Sequence, residues 1–224
     1  MKKITLVVTC CKRPDLLKRT LESFIQMNTY PIEEAILIED SDQLGINEFA
    51  KDILPFPTVC IYNGVNIGQI ESIDKAYDLV KTPYIFHCED DWEFFNSGFI
   101  ENSIEVLEKD PKVVTIQIRG HNDTNGHPIE GNNLGGYYYL ARNYDRFWHG
   151  FTLNPGLRRL ADYNVVKPFT ESCKPYMEGF GHPNETDISR IYNNLGYRGA
   201  ILEKKEGYVR HIGYGRHMPR VWEK

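Results

Sequence analysis

Residues 4–24 read ITLVVTCCKRPDLLKRTLESF, and this stretch decides the fold. Residues 4–9 form a continuous apolar and β-branched run, which is typical of a strand buried on both faces. The polar run 12–15 ends that strand, and apolar residues then recur at helical spacing over 16–25. The stretch therefore predicts a strand, a loop and a helix, in that order.

The same alternation continues over the next sixty residues. Strands are predicted at 35–39, 58–62 and 84–88, and helices at 46–54 and 67–80. Strands that alternate with helices at this spacing indicate βαβ units and a parallel sheet, whose ligands bind beyond the carboxyl ends of the strands. Polar clusters follow three of these strands, at 11–13, 39–42 and 89–91. We expect them to meet in one crevice.

The second half of the chain has a more mixed pattern. A helix is predicted at 98–109 and a strand at 113–119, followed by a polar loop at 120–136 of a length that is often functional. Asn184 is the predicted cap of a helix that ends at Gly196. The tail 197–224 is basic and carries His211 and His217. We predict a single α/β domain over 1–224, parallel in its first half and mixed in its second.

Composition excludes several classes of protein. The net charge of −5 and the isoelectric point near 5.8 argue against a nucleic-acid partner, which requires a basic face. Five cysteines without a CxxC pair suggest reduced thiols, and so a cytoplasmic location. No apolar run approaches the roughly 20 residues of a membrane span, so no transmembrane segment is expected.

Residues 87–93 read HCEDDWE and place four carboxylates in five positions at the end of a predicted strand. Charges packed this closely repel one another unless a cation or a shared proton relieves them. Carboxylate ligands at this spacing suit Mg²⁺ or Mn²⁺, with coordination positions left for a substrate phosphate. The alternative is a solvated turn in which Asp90 or Asp91 caps the next helix. The position beside two other polar strand ends favours the metal.

Four segments, TLVVTCCKRPDLLKRTLESF, ILIEDSD, NIGQIESIDKAY and YIFHCEDDWEF, resemble in order and spacing the nucleotide-binding half of GT-A fold, family 2-like glycosyltransferases. The resemblance covers about residues 3–95, and EDD at 89–91 resembles the DXD motif of these enzymes. It implies a GT-A type, Rossmann-like sheet flanked by helices. It also implies that about 1–95 bind a nucleoside-diphosphate sugar, UDP- or dTDP-linked, with Mn²⁺ or Mg²⁺, and that about 96–224 bind a hydroxyl acceptor.

The resemblance also implies roles for individual residues. Asp40 would contact the base or ribose, Glu89 the ribose or a metal-bound water, and Asp91 and His211 the metal. The implied donor-binding set is Thr9, Cys11, Arg13, Asp40, Asn66, Gly68, Asp74, Glu89 and Asp90. The chain departs from the family pattern at Ile73 and Asp74, where Arg and Asn are common.

Some of these residue types also have ordinary structural explanations. Asp40 begins the sequence Asp-Ser-Asp at 40–42, and residues of these types are common in turns. Arg13 precedes a helix, where a cation is disfavoured unless an anion is near. A lone histidine such as His211 is more often structural than a ligand.

Residues 181–198, GHPNETDISRIYNNLGYR, resemble the acceptor-side pattern EDxDLxxRxxxxGYR of the same family. Glu185 or Asp187 would then be the catalytic base, which takes a proton from the acceptor hydroxyl in an inverting transfer. Glu185 precedes the helix and is free to point into the crevice. Asp187 lies in the first turn, where capping is common. We predict Glu185, with Asp187 as the alternative.

Two other functions fit parts of the pattern. A sugar-phosphate nucleotidylyltransferase requires a glycine-rich phosphate loop after the first strand, and residues 10–14 contain no glycine. A non-catalytic nucleotide-sugar or carbohydrate-binding module would not need the carboxylates at 89–91 and 185. The sequence therefore predicts a metal-dependent hexosyl- or deoxyhexosyltransferase that acts on a hydroxyl of a glycan, protein or lipid.

Overall fold

The computed structural model describes residues 1–45, 47–144, 148–177 and 183–216. Ile46 and His217, like the rest of the tail 217–224, lie outside the described residues. The strands are β1 (Ile4–Cys10), β2 (Glu34–Glu39), β3 (Thr58–Tyr62), β4 (Tyr84–Glu89), β5 (Trp92–Phe94), β6 (Val113–Gln117), β7 (Ile129–Glu130), β8 (Tyr137–Leu140), β9 (Gly156–Arg159), β10 (Arg198–Leu202) and β11 (Val209–His211). The helices are α1 (Pro14–Met27), α2 (Ala50–Ile53), α3 (Gln69–Tyr77), α4 (Phe99–Lys109), α5 (Leu160–Val166), α6 (Phe169–Ser172) and α7 (Glu185–Asn194), with a 3-10 turn at Lys174–Tyr176.

The central sheet has the order β3-β2-β1-β4-β9. Its first four strands are parallel and β9 runs antiparallel to β4, so the predicted α/β fold with a mostly parallel sheet is confirmed. Alternate residues of β1 belong to two separate cores: Leu6 and Val8 pack with α1, and Val7 packs with α3. Burial of both faces explains why the run 4–9 is apolar without alternation.

The second half of the chain forms two smaller sheets. One has the order β6-β10-β8-β7 and mixes parallel and antiparallel pairs. The other pairs β5 with β11 in antiparallel fashion and sets Trp92 opposite His211. That pairing carries the end of the described chain back to the carboxylate cluster, although 120 residues separate Asp91 from His211.

Several elements differ in length from the predictions. Helix α3 begins at Gln69 rather than at 67, because Gly68 has a φ of 105° that an α-helix does not allow. Helix α2 covers only Ala50–Ile53, and the predicted loop 120–136 contains the short strand β7. Among the described residues, no helix is long and apolar enough to cross a membrane.

Candidate active site

A cavity of about 1050 Å³ lies at the carboxyl ends of β1, β2 and β4. The expected meeting of polar strand ends in one crevice therefore occurs. All predicted site residues except Asp74 and Asp187 line it, namely Thr9, Cys11, Arg13, Asp40, Asn66, Gly68, Glu89, Asp90, Asp91, Glu185 and His211. Further lining residues come from α3, from the loop after β6, and from the segment after β11.

Arg13 relieves much of the repulsion within the carboxylate cluster. Its guanidinium donates Nη2 to Asp90 Oδ1, Nε to Asp90 Oδ2 at 3.2 Å and Nη1 to Asp91 Oδ2 at 2.8 Å. Asp90 is only 1% exposed and also accepts from the Cys11 amide at 3.2 Å. Burial raises the pKa of Asp90 to about 7 although Arg13 opposes the rise. Arg13 is thus half-buried and paired rather than solvated.

Asp91 lies between two groups that favour its ionised form. Its Oδ2 is 3.2 Å from His211 Nε2 and also accepts from Arg13. Burial alone would raise the pKa of Asp91, but His211 and Arg13 outweigh it and lower that pKa. A Cβ at Gly213 would lie 2.4 Å from Asp91 Oδ2, so the backbone after β11 packs directly on this carboxylate.

The donor atoms at Asp91 and His211 fit part of a divalent metal shell. One carboxylate oxygen and one imidazole nitrogen 3.2 Å apart are able to bind the same ion, and such ions in nucleotide enzymes take their remaining ligands from phosphate and water. Within the ranges that the structure describes, no group of three or more His, Cys, Asp or Glu is arranged to hold a metal.

The Asp40 carboxylate fixes the loop that leads into α3. Oδ1 accepts from the Ile67 amide at 2.7 Å and from Asn63 Nδ2 at 3.0 Å. Oδ2 accepts from the Gly68 amide at 2.8 Å and from Asn66 Nδ2 at 3.0 Å. Four hydrogen bonds occupy the usual acceptor capacity of a carboxylate. Asp40 therefore shapes this wall of the cavity, and its contact with a base or ribose stays a prediction.

Asp74 lies away from the cavity wall. Its buried carboxylate accepts from the Phe169 and Thr170 amides at 2.8 and 2.9 Å and from the Tyr163 hydroxyl at 2.8 Å. It thereby caps the first turn of α6, whose amide groups lack intrahelical partners. These contacts favour a structural role, and the predicted place beside a donor stays a prediction.

The two candidate bases at the start of α7 occupy different environments. Asp187 and Asn184 form a capping box, with each side chain accepting from the other's amide at 3.1 Å, and Asp187 is 3% exposed. Glu185 lines the cavity instead, and its Oε1 is buried without a hydrogen-bond partner among the residues that the structure describes. Burial raises the pKa of Glu185, and the Thr152 side chain and Leu153 backbone offset this only partly.

Glu89 faces the same space as Glu185. Its oxygens accept from Gln69 Nε2 at 2.7 Å and from Trp92 Nε1 at 3.0 Å. Burial, the charge of Asp91 and, to a smaller extent, the charge of Glu185 raise the pKa of Glu89 to about 8. The cavity therefore joins a carboxylate cluster from the first half of the chain with a separate, unpaired carboxylate from the second half.

Sequence reasoning missed part of this lining. Gln69, Arg119 and Asn154 were not singled out, although all three line the cavity. Arg119 lies over the Trp92 ring at 5.0 Å and pairs with Asp123 at 2.6 Å. A sequence signal for Arg119 was available, because it is the last residue of the predicted strand 113–119 and so lies at a strand end, near where the recognised polar clusters lie. Asn154 lies in a segment without a clear periodic pattern and offered no such signal.

Comparison with known proteins identifies the family. No curated protein sequence matches the chain. In structure it is similar to Staphylococcus aureus TarS (residues 1–349), with a TM-score of 0.61 and 13% identity over 92% of this chain and 59% of that one. A second S. aureus TarS structure gives a TM-score of 0.61 and 15% identity over 92% of this chain and 36% of that one.

A mannosyltransferase, PcManGT from Pyrobaculum calidifontis, gives a TM-score of 0.58 and 12% identity, over 88% of this chain and 53% of that one. The chain thus spans less than two thirds of the length of these structures, and identities this low show a shared fold alone. Residues 5–161, which are more than half of the chain, match the family model of Glycosyl transferase family 2. The chain therefore belongs to glycosyl transferase family 2.

Proposed function

We propose that the chain is a metal-dependent, inverting glycosyltransferase. It would move a hexosyl or deoxyhexosyl group from a UDP- or dTDP-linked sugar to a hydroxyl of a glycan, protein or lipid. The observation that carries the proposal is Glu185, which lines the same cavity as the 89–91 cluster and has a buried oxygen, Oε1, without a partner in the described part of the chain. Membership of a glycosyltransferase family supports the transfer of a sugar.

The two halves of the chain would divide the substrates between them. About residues 1–95 supply Thr9, Arg13 and the 89–91 cluster, and we assign them to the nucleoside-diphosphate sugar. About residues 96–224 supply Glu185, and we assign them to the acceptor. The mannosyltransferase of similar fold was solved with GDP-Man and Mn²⁺, which supports a nucleotide-sugar donor and a divalent cation here.

Asp91 and His211 would hold the Mn²⁺ or Mg²⁺ ion, which when bound neutralises charge on the leaving diphosphate. Arg13 adds a fixed positive charge at the same place, because its guanidinium already lies against Asp90 and Asp91. On the acceptor side, Glu185 orients the hydroxyl through its free oxygen and takes the proton as the hydroxyl attacks the anomeric carbon. A carboxyl with a raised pKa is better matched to this task near neutral pH.

A non-catalytic sugar-nucleotide-binding module is the second candidate. The structural observation against it is again Glu185, because a buried carboxylate oxygen without a partner among the described residues costs stability that simple binding would not require. The two candidates differ in one measurable property, which is turnover of the donor.

Release of nucleoside diphosphate from a panel of UDP-, dTDP- and GDP-sugars, with and without Mn²⁺, tests the proposal. We expect metal-dependent release from at least one donor, loss of transfer with retained donor binding in Glu185→Gln, and little change in Glu71→Gln. Glu71 is the matched control because it also lines the cavity but is exposed. Absence of release from every donor would favour the binding module. Activity in Glu185→Gln together with an inactive Asp187→Asn would move the base to Asp187.

A further inference from the structure

Arg158, on β9, is a buried cation with incomplete pairing. The residue is 3% exposed, and its guanidinium lies over the Phe151 ring at 5.3 Å. Nη2 donates to the Thr152 carbonyl at 3.1 Å, whereas Nε and Nη1 have no hydrogen-bond partner within the described part of the chain. A buried charge without full pairing is costly to the folded state. Packing requirements alone would be met by an apolar side chain here.

The adjacent residue in the same strand, Arg159, is by contrast an arginine whose guanidinium is well paired. Its Nη1 pairs with Asp162 at 2.8 Å and donates to the Val113 carbonyl at 2.8 Å. Its Nη2 donates to the carbonyls of Leu107 and Asp110. Arg159 therefore joins α4, β6 and α5 and has an evident structural role. Arg158 makes no comparable set of bonds among the described residues: the Tyr77 hydroxyl lies near its guanidinium, but no hydrogen bond joins it to Nε or Nη1.

Arg158 contacts the segment that supports the start of α7. Ser189 Oγ, on α7, accepts from the amides of His149 at 2.9 Å and Phe151 at 3.3 Å, which ties this segment to the helix. Thr152 and Leu153 then lie against the Glu185 carboxyl. The guanidinium of Arg158 holds both Phe151 and Thr152, so it fixes the backbone on which Glu185 rests.

Arg158 also acts on Glu185 by its charge. The charged groups that face Glu185 are Glu89, Arg119 and Arg158. Arg158 and Arg119 both lower the pKa of Glu185, against the larger effect of burial. Arg119 is already paired with Asp123, which leaves Arg158 as the cation without a carboxylate partner in the described ranges.

We propose that Arg158 is a positioning residue for Glu185: it fixes the 151–153 segment against α7 and keeps a buried guanidinium near the Glu185 carboxyl. The inference rests on the proposed function of Glu185 as the base. Arg158, a residue of the central sheet, would then hold the base in place, a role that neither the carboxylate cluster nor α7 fills.

A titration of Glu185 tests the inference without any substrate. The protein is labelled with ¹³Cδ-glutamate, and the Glu185 resonance is identified by its loss in Glu185→Gln. We expect the titration midpoint to move upward in Arg158→Met and to keep its original position in Arg159→Met, the matched control. An unchanged midpoint in Arg158→Met would overturn the inference. If Arg158→Met does not fold, Arg158→Lys tests the inference instead. Lysine keeps the positive charge, so the titration midpoint of Glu185 should stay near its wild-type value. A large upward shift in Arg158→Lys would refute the charge effect.

Kinetics provide the second readout, with the donor found active in the panel. We expect kcat to fall by roughly 10- to 100-fold in Arg158→Met, with the donor KM nearly unchanged, because the base is misplaced while the donor side stays intact. Arg158→Lys should recover part of the loss. If Glu185→Gln loses activity while Arg158→Met keeps its full kcat, the inference about Arg158 is wrong and the assignment of Glu185 as the base still holds. Full activity in Glu185→Gln would instead defeat the assignment of the base, whatever Arg158→Met does.

Discussion

Glu185→Gln should make the folded protein more stable while it removes transfer. The substitution keeps the shape of the side chain and removes the charge that burial disfavours. In the native protein, Glu185 Oε1 is buried without a hydrogen-bond partner in the described ranges, and the pKa of Glu185 is raised mainly by burial. Arg158 and Arg119 oppose this effect but do not cancel it. The ionised carboxylate therefore costs the native state free energy that a neutral amide does not.

The size of the gain follows from the one unpaired oxygen. Leaving a buried polar group unsatisfied costs about 1–3 kcal/mol. The amide of Gln still requires a partner, so we expect the lower end, about 1 kcal/mol in the free energy of unfolding. For a chain of this length, that corresponds to a rise of about 2–4 °C in Tm. Glu71→Gln, at an exposed position, should change stability by less than about 0.5 kcal/mol.

The gain should depend on pH in a defined direction. An unfolded glutamate titrates near pH 4.3, whereas the pKa of Glu185 is higher in the folded protein. Between these two values the native state binds more protons than the unfolded state, so the wild-type free energy of unfolding falls as the pH rises. Glu185→Gln lacks this contribution. The difference between the two proteins should therefore be small at pH 4 to 5 and reach its full size above the folded pKa.

Urea unfolding of the wild type, Glu185→Gln and Glu71→Gln at several pH values from 4.5 to 8 measures this difference. The m-value should stay constant, so that midpoints report stability alone. A Glu185→Gln protein that is less stable than wild type at pH 8, or whose advantage does not grow with pH, would refute the reasoning. In that case the carboxylate has partners that offset its burial.

Four further substitutions probe the rest of the site. Arg13→Met should destabilise the protein by about 3–5 kcal/mol in urea unfolding, because it leaves the buried Asp90 carboxylate without its cation; a loss below about 1 kcal/mol would contradict this. Asp91→Ala and His211→Ala should weaken Mn²⁺-dependent nucleotide binding in calorimetry with the fold intact, and unchanged affinity in either would remove that residue from the metal site. Asp74→Asn should cost about 1–3 kcal/mol of stability through the cap of α6 without changing nucleotide affinity, and weakened affinity would return Asp74 to the donor site.

The first half of the fold was predictable because its local pattern and its tertiary environment agree. The run 4–9 is apolar on both faces since β1 lies between two cores, and the predicted bounds of β3 match the observed ones. The pairing of β5 with β11 was not predictable in the same way. Both strands have only three residues, and their register depends on contacts between segments far apart in the chain.

The site shows the same division between local and distant information. Sequence reasoning found the acidic strand ends because the carboxyl ends of parallel strands meet at one edge. The capping role expected of Asp187 was predictable because capping chemistry is local: Asp187 forms the box with Asn184. Glu185 was expected to precede the helix, whereas α7 begins at Glu185; it nevertheless faces the cavity, and its role as the base stays a prediction. Sequence reasoning did not find Arg158, since one arginine in a short strand has no sequence signal. Only burial on the sheet and proximity to the 151–153 segment make it distinctive.

The carboxylate cluster posed the question of what relieves its charge, and Arg13 changes the answer. Asp90 is bound by Nε and Nη2 of Arg13, while Asp91 shares Oδ2 between Nη1 of Arg13 and His211. A cation bound at Asp91 Oδ2 would therefore compete with Nη1 for that oxygen, next to a guanidinium that repels it. A diphosphate would carry enough negative charge to interact with both. On the proposed function, the cation should therefore bind together with the nucleotide more tightly than alone, while Asp90 holds Arg13 in place.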